Sequence, residues 1–276
     1  MKLCVSSWSL CQHICRGLPL PDFAEAMFER YGVNGVELSQ MTFRRALPGW
    51  ESVGCVMAYD SMFLDAILVG AKKIGAEIVN IPIDLGNITG TDPDKRSFDL
   101  EVLKGWIDVA AYLDCPYVRF NTGACLPDKP IAINLKKDIA TAIDSYQRLL
   151  DHAEKQSVGI LLENHGGITA DPDAIVQIAE ALKDRDFGII ADFGNFADDI
   201  RYEALEKIAP FTKLIHAKTY RLNDAGEEAV YDFGRCLKLF TSRGYDGWIS
   251  VEYEGSGDQY TAVEKTIALI NRELGK

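Results

Sequence analysis

Short apolar runs rich in β-branched residues alternate along the chain with longer segments whose apolar residues recur every three or four positions. The short runs are typical of buried strands, and the longer segments are typical of amphipathic helices. A further run, Val53–Ala58, lies in a segment without a convincing helix, so we interpret it as part of an irregular excursion after the second strand. The eight predicted strands are Leu3–Trp8, Gly35–Ser39, Glu77–Ile83, Tyr117–Asn121, Val158–Glu163, Phe187–Asp192, Lys213–Lys218 and Trp248–Tyr253.

Helix starts are indicated by polar capping residues that stand just before the apolar periodicity begins. Asn134 precedes a segment with one continuous apolar face. Asp171 is followed by a proline, which is favoured at the first helical position. The predicted helices are Ser97–Leu113 with Ser97 as the cap, Asn134–Lys155, one that opens at Asp171-Pro172, and Ala262–Leu274 at the end.

The number of repeated units indicates the fold class. Eight β/α units share 276 residues, about 34 residues each, which suits an α/β fold of the (β/α)₈ TIM barrel type. A doubly wound open sheet would give the same alternation and is the alternative. No stretch rich in Pro, Gly or Ser divides the chain, so we expect a single barrel domain over residues 1–276.

Polar residues near the strand ends follow a consistent alternation. Successive side chains of a strand point to opposite faces, so in Gly159–Glu163 the apolar Ile160 and Leu162 suit the helix side and Glu163 points into the barrel. Barrels of this type keep their active sites at the carboxyl ends of the strands. The same reasoning on six strands predicts these inward polar residues: Glu37, Arg119, Asn121, Glu163, Asp192, His216, Lys218, Ser250 and Glu252.

Two interpretations of this inward set remain open. Buried charges are costly unless they are paired or bound to a metal. One interpretation is an ion-pair network that only orders the barrel, in which Arg119 and Lys218 neutralise the acids. The other is a site for one divalent metal ion, for which carboxylates and an imidazole favour Mn²⁺, with Mg²⁺, Co²⁺ or Zn²⁺ as alternatives. The metal-ligand candidates, on four consecutive strands, are Glu163, Asp192, His216 and Glu252.

Four strand-end strings carry a resemblance to a known family. They are LLENH (161–165), IIADFGN (189–195), IHAKTY (215–220) and ISVEYEG (249–255), and Gly35-Val36-Glu37-Leu38 adds a second-strand motif. In this order they resemble the xylose isomerase-like (β/α)₈ barrels, and more narrowly the sugar (phosphate) isomerase/epimerase family. The resemblance implies that the Glu, Asp, His and Glu of strands five to eight bind one divalent metal. Ketose epimerases of the family usually have a His where this chain has Asn195, and many members have an Asp where it has Thr219.

The resemblance also implies a reaction class. A metal that polarises the carbonyl of a small keto-sugar or polyol derivative makes the neighbouring C–H acidic, and the reaction proceeds through an enediolate. Glu163 and Glu252 are the predicted catalytic residues, one removing the proton and the other returning it, as in an isomerase or epimerase. A metal-dependent dehydratase or lyase on a keto-sugar or keto-polyol, similar to inosose dehydratase, is the alternative. A non-catalytic sugar-binding barrel is the second alternative.

Several other residues are candidates for substrate binding. An aromatic ring at the end of strand one can stack on a sugar face, and cationic side chains can hold hydroxyl, carboxylate or phosphate groups. Each has an ordinary alternative, which is core packing for the ring and charge balance for the cations. The substrate-binding candidates are Trp8, Glu37, Arg119, His165, Lys218 and Arg221.

Composition narrows the partners and the compartment. The net charge of −12 argues against nucleic acid, and no apolar run reaches the roughly 18 residues of a membrane span. Seven cysteines without paired spacing indicate a reducing compartment, and Met1–Cys15 is too polar for a signal-peptide core, so we expect a cytoplasmic protein. The expected partner is a small carbohydrate, without nucleic acid or membrane, and the resemblance suggests a homo-oligomer.

Overall fold

The eight strands form a closed parallel barrel in chain order, β1 to β8, with β8 returning to β1. A computed structural model describes residues 1–46, 61–123 and 134–276, and the excursion at Val53–Ala58 lies outside these ranges. The strands are β1 Lys2–Ser6, β2 Gly35–Glu37, β3 Glu77–Ile83, β4 Tyr117–Phe120, β5 Gly159–Glu163, β6 Phe187–Asp192, β7 Thr212–Thr219 and β8 Trp248–Tyr253. The predicted (β/α)₈ barrel is therefore confirmed, and the open sheet is excluded.

The first two strands are shorter than predicted. The chain leaves β1 after Ser6 and enters a 3₁₀ helix, Ser7–Leu10, in which the Ser6 hydroxyl accepts a hydrogen bond from the Trp8 backbone N–H. Trp8 therefore stands on this helical turn instead of in the strand. Likewise β2 ends at Glu37.

Helices surround the barrel and connect its strands. They are α1 Cys11–Cys15, α2 Phe23–Tyr31, α3 Gln40–Ala46, α4 Ser61–Lys73, α5 Pro93–Tyr112, α6 Leu135–Ala153, α7 Pro172–Leu182, α8 Arg201–Ile208, α9 Phe233–Thr241 and α10 Gln259–Glu273. No helix of the described residues is long and apolar enough to cross a membrane.

Helix caps agree with the sequence at two positions and differ at two others. Asn134 and Asp171 cap α6 and α7 as predicted, each accepting from a backbone N–H in the first turn. The prediction of Ser97 as a cap was wrong, because Asp92 accepts from the Asp94 and Lys95 N–H groups and α5 begins one turn earlier. The last helix also begins earlier than predicted, at Gln259, after its cap Asp258.

Two separate apolar clusters lie on the two sides of the barrel wall. The larger one fills the layer between strands and helices and includes Ile160, Leu162 and Ile189. The smaller one, inside the barrel, consists of Cys4, Val79, Leu161, Ile190 and Leu214. This inner cluster alternates along β5, β6 and β7 with the polar residues at their carboxyl ends. The apolar interior thus forms a floor, and the inward polar groups lie above it.

Candidate active site

Four side chains from neighbouring strands meet at the carboxyl end of the barrel. Each offers one potential ligand atom, and these atoms all lie within 4.8 Å of one another. All four residues are buried, with exposed fractions of 7% or less. We call this group the acidic cluster, and its members are Glu163 at the end of β5, Asp192 at the end of β6, His216 in β7 and Glu252 in β8.

The His216 ring has carboxylates at both of its nitrogens. Its Nδ1 lies 3.0 Å from Glu163 Oε1, 3.5 Å from Glu252 Oε2 and 3.8 Å from Asp192 Oδ2. Its Nε2 lies 3.0 Å from Oε2 of Glu37, which belongs to β2. Only Nδ1 therefore faces the other members of the acidic cluster.

The turn after β6 fixes the Asp192 carboxylate. Asp192 Oδ1 accepts hydrogen bonds from the backbone N–H groups of Gly194 (2.7 Å) and Asn195 (3.1 Å). The Asn164 amide brackets the Asp192 backbone, with 2.8 Å from Asp192 N to Asn164 Oδ1 and 3.0 Å from Asn164 Nδ2 to the Asp192 carbonyl oxygen. These contacts leave Oδ2 as the oxygen that faces the cluster.

Two buried cations lie against the acids. Arg119 Nε is 3.0 Å from Glu163 Oε2, and an NH1 group of Arg119 donates to Asp84 at 2.6 Å. Lys218 Nζ lies 3.0 Å from both Asp192 Oδ2 and Glu252 Oε2. The ion pairs that the network interpretation requires are therefore present.

One oxygen of each carboxylate nevertheless has no donor in hydrogen-bonding geometry. Among the described residues these atoms are Glu163 Oε2, Asp192 Oδ2 and Glu252 Oε2, although each lies 3.0 Å from a cation. Buried acceptors without hydrogen bonds are rare in folded proteins and call for an explanation. Three carboxylates and one imidazole within 4.8 Å are a suitable donor set for one divalent ion. The residues present therefore fit a metal.

The surrounding charges shift the titration of the cluster. Burial opposes ionisation of Glu163, but Arg119 and His216 hold its pKa well below the usual range. Lys218 and His216 do the same for the pKa of Glu252 against its burial. Burial raises the pKa of Asp192 to about 7, against the opposing effect of Lys218. Both oxygens-bearing glutamates are thus held as carboxylates, which is the form that binds cations or accepts protons.

The substrate-binding candidates separate into three groups. Arg119 and Lys218 contact the acidic cluster directly, as described above, whereas Glu37 lies on the far side of His216. Trp8 and His165 lie at the rim, where the Trp8 indole donates to Glu254 at 2.9 Å and His165 Nδ1 is 3.3 Å from Asn121 Nδ2. Arg221 is exposed on the segment after β7, and no contact among the described residues joins its side chain to the cluster.

Sequence reasoning missed three polar residues next to the cluster. Glu254 lies 3.3 Å from Lys218 Nζ through its Oε2, and its position two residues after Glu252 was the available signal. Asp84 directly follows β3 and pairs with Arg119. Asn80, within β3, donates to Glu37 Oε2 at 2.9 Å.

Asn195 occupies the position where ketose epimerases usually have a histidine. Its amide accepts from Lys218 Nζ at 3.1 Å, and its Nδ2 lies 3.5 Å from Glu163 Oε1. The side chain therefore links the two halves of the cluster with neutral groups.

Comparison with known proteins agrees with this geometry. The model of the family described as xylose isomerase-like TIM barrel matches residues 26–273. The chain belongs to that family. No curated protein sequence matches it significantly.

Solved structures of this family share the whole fold. A 3-keto-D-glucoside 4-epimerase from E. coli has a TM-score of 0.73 at 15% identity, and 99% of each chain is covered. A D-psicose 3-epimerase with D-tagatose, from Clostridium cellulolyticum H10, has a TM-score of 0.75 at 12% identity, with 100% of this chain and 99% of that one covered. The IolI protein with a binding zinc atom has a TM-score of 0.74 at 16% identity, with 100% and 98% covered. At these identities the likeness establishes the fold.

Proposed function

We propose that this protein is a sugar isomerase or epimerase that depends on one divalent metal ion and acts on a small keto-sugar or polyol derivative. The observation that carries the proposal is the acidic cluster: Glu163 Oε1 and Glu252 Oε2 lie 3.0 and 3.5 Å from one His216 nitrogen, and both residues keep an oxygen without a hydrogen bond. The solved structures with the same fold include epimerases of sugars and keto-glucosides, which supports a carbohydrate substrate.

The four cluster residues would hold the metal, with Mn²⁺ as the proposed ion and Mg²⁺, Co²⁺ or Zn²⁺ as alternatives. When bound, such an ion polarises a substrate carbonyl and makes the adjacent C–H more acidic. Hard oxygen donors in the majority argue for Mn²⁺ or Mg²⁺, whereas the neighbour with zinc shows that this fold also holds that ion.

Glu163 and Glu252 supply the proton transfers. They come from β5 and β8, so they approach the cluster from strands separated by β6 and β7. One carboxylate removes the proton from the carbon next to the carbonyl, and the other returns a proton to the same carbon or its neighbour. Arg119 and Lys218 keep these acids ionised and ready to accept.

One observation favours a dehydratase or lyase as the second candidate. The Lys218 ammonium lies 3.0 Å from Glu252 Oε2 inside the site, and burial among carboxylates keeps its pKa well above the usual range. A buried cationic N–H is a suitable donor to a departing hydroxyl group. Removal of a proton by one glutamate followed by loss of water would then give elimination in place of epimerisation.

Deuterium incorporation separates these functions. Mn²⁺-loaded protein would be incubated in D₂O with a panel of ketoses, keto-acids and keto-polyols, and the masses would be followed. Gain of deuterium without loss of water supports the isomerase or epimerase, and loss of water supports the dehydratase. If no compound changes although Mn²⁺ is bound, proton-transfer chemistry on these substrate classes is contradicted, and a sugar-binding barrel is favoured.

The acid–base roles have their own test. Glu163→Gln and Glu252→Gln should each lower turnover of the active compound by about 10²-fold or more. The matched control is Glu180→Gln, because Glu180 pairs with Lys183 on the exposed face of α7. Full activity in both site variants would show that these glutamates do not transfer the proton.

A further inference from the structure

Glu37 lies beneath the acidic cluster, fully buried at the end of β2. Its Oε2 accepts from Asn80 Nδ2 at 2.9 Å and lies 3.0 Å from His216 Nε2. Its Oε1 accepts from the Ser250 hydroxyl at 3.3 Å. Groups from β3, β7 and β8 therefore hold both oxygens of the carboxylate, and His216 stands between it and the cluster.

The two nitrogens of His216 face different surroundings. Nδ1 is directed at Glu163, Glu252 and Asp192, whereas Nε2 is directed at Glu37 alone. A neutral imidazole carries one N–H and one lone pair, and the hydrogen bond of one nitrogen decides which is which. An acceptor at Nε2 places the N–H there and leaves the lone pair on Nδ1.

We propose that Glu37 is a positioning residue for His216, and that its carboxylate fixes the ring with Nε2–H toward β2 and the Nδ1 lone pair toward the acidic cluster. This inference rests on the proposed metal-dependent function and replaces the expectation that Glu37 contacts the substrate. A carboxylate behind a ligating histidine fixes its tautomer and orientation and increases its basicity. Without it the imidazole would be free to turn its N–H toward the carboxylates.

The main test compares metal binding in Glu37→Gln and Ser250→Ala. The first variant replaces the carboxylate with an amide, whose NH₂ group favours the opposite tautomer. We expect its affinity for Co²⁺, measured by competition with a chelator, to fall about 10- to 100-fold, with a change in the visible Co²⁺ spectrum. Ser250→Ala is the matched control, because it removes a hydrogen bond from Oε1 and leaves Oε2 on the histidine. Its affinity and spectrum should stay close to those of the unmodified protein.

Nuclear magnetic resonance tests the tautomer directly and does not depend on a variant that folds. In the Zn²⁺-loaded, ¹⁵N-histidine-labelled protein, His216 should show a proton on Nε2 and none on Nδ1. A proton on Nδ1 overturns the proposal. In Glu37→Gln the Nε2–H signal should move upfield, because its acceptor is no longer charged.

The outcomes distinguish this inference from the proposed function. If the unmodified protein binds neither Co²⁺ nor Zn²⁺, the proposed metal dependence fails. If it binds Co²⁺ and Glu37→Gln binds equally well with the same spectrum, the role of Glu37 is overturned. A purely structural role would lower the unfolding free energy of the metal-free protein and leave the Co²⁺ spectrum of the folded fraction unchanged, and that result also overturns the proposal.

Discussion

Arg119 determines the state of Glu163 at the scale of single residues. The guanidinium is 4% exposed and lies between the carboxylates of Glu163 and Asp84. The arrangement explains why an arginine can point into the barrel, since both faces of its charge are compensated within the site. The same compensation makes the residue sensitive to substitution.

Arg119→Met should destabilise the metal-free protein strongly. Removing one partner of a buried ion pair leaves an uncompensated charge, and such changes cost about 3–5 kcal/mol of unfolding free energy. Urea unfolding in the presence of chelator measures this loss. The matched variant Arg201→Met should cost less, because the partner of Arg201 is Asp198, whose side chain is 81% exposed and stays hydrated. Equal losses in both variants would contradict the importance of the buried pair.

Gln40 gives the opposite prediction at the same scale. It is fully buried at the start of α3, and among the described residues neither atom of its amide has a hydrogen-bond partner. Gln40→Met removes this unsatisfied pair at similar volume and should raise the unfolding free energy by about 1–3 kcal/mol. In Gln259→Met, by contrast, the lost amide accepts from the Gln12 N–H, so stability should fall. A stability loss in Gln40→Met, measured by urea unfolding, would show that its amide has a partner in solution.

At the scale of elements, the ends of helices and strands place the functional groups. The 3₁₀ helix after β1 lifts Trp8 to the rim, where its indole reaches Glu254. The turn after β6 closes on Asp192 Oδ1 and aims the other oxygen at the cluster. Such ends depend on a few side-chain to backbone hydrogen bonds, so single substitutions can test them.

The start of α5 offers a matched pair of such substitutions. Asp92 accepts from the N–H groups of Asp94 and Lys95, whereas Ser97 lies inside the helix and is exposed. Asp92→Ala should therefore lower the unfolding free energy by about 0.5–2 kcal/mol, and Ser97→Ala should leave it nearly unchanged. Thermal and urea unfolding of the two variants measure the difference. A larger loss in Ser97→Ala would restore the cap predicted from the sequence.

At the scale of the whole molecule, the acidic cluster connects four consecutive strands of a closed barrel. A metal bound to all four residues would stabilise the folded chain only, since the unfolded chain does not bring residues 163 and 252 together. We expect Mn²⁺ to raise the thermal unfolding midpoint, by the equivalent of about 2.7 kcal/mol at one hundred times its dissociation constant. A chelator should reverse the shift.

His216→Asn provides the comparison for this effect. The variant removes a cluster member from β7, and we expect its unfolding midpoint to respond much less to Mn²⁺. If the unmodified protein shows no shift at any Mn²⁺ concentration, the ion-pair network alone explains the cluster. That result would return the site to the first of the two interpretations left open by the sequence.

The sequence by itself determined the barrel and the inward direction of its polar residues, because both follow from local periodicity. Alternation in Gly159–Glu163 and Phe187–Asp192 placed Glu163 and Asp192 inside, and the structure separates the inner and outer apolar clusters on the same basis. Local periodicity failed where the register shifts. The pairing of β2 with β3 is irregular between Val36 and Glu37, and both Val79 and Asn80 contact the interior, which simple alternation does not predict.

Only the tertiary structure decided which polar residues pair with which. Glu37 and His216 are 179 positions apart, and their contact depends on the closure of the barrel, which no local pattern encodes. For the same reason the partners Asp84 and Glu254, each just beyond a strand end, became visible only when neighbouring strands were assembled. The sequence thus predicted the members of the site, and the three-dimensional arrangement assigned Glu37 to His216 and the two cations to the acids.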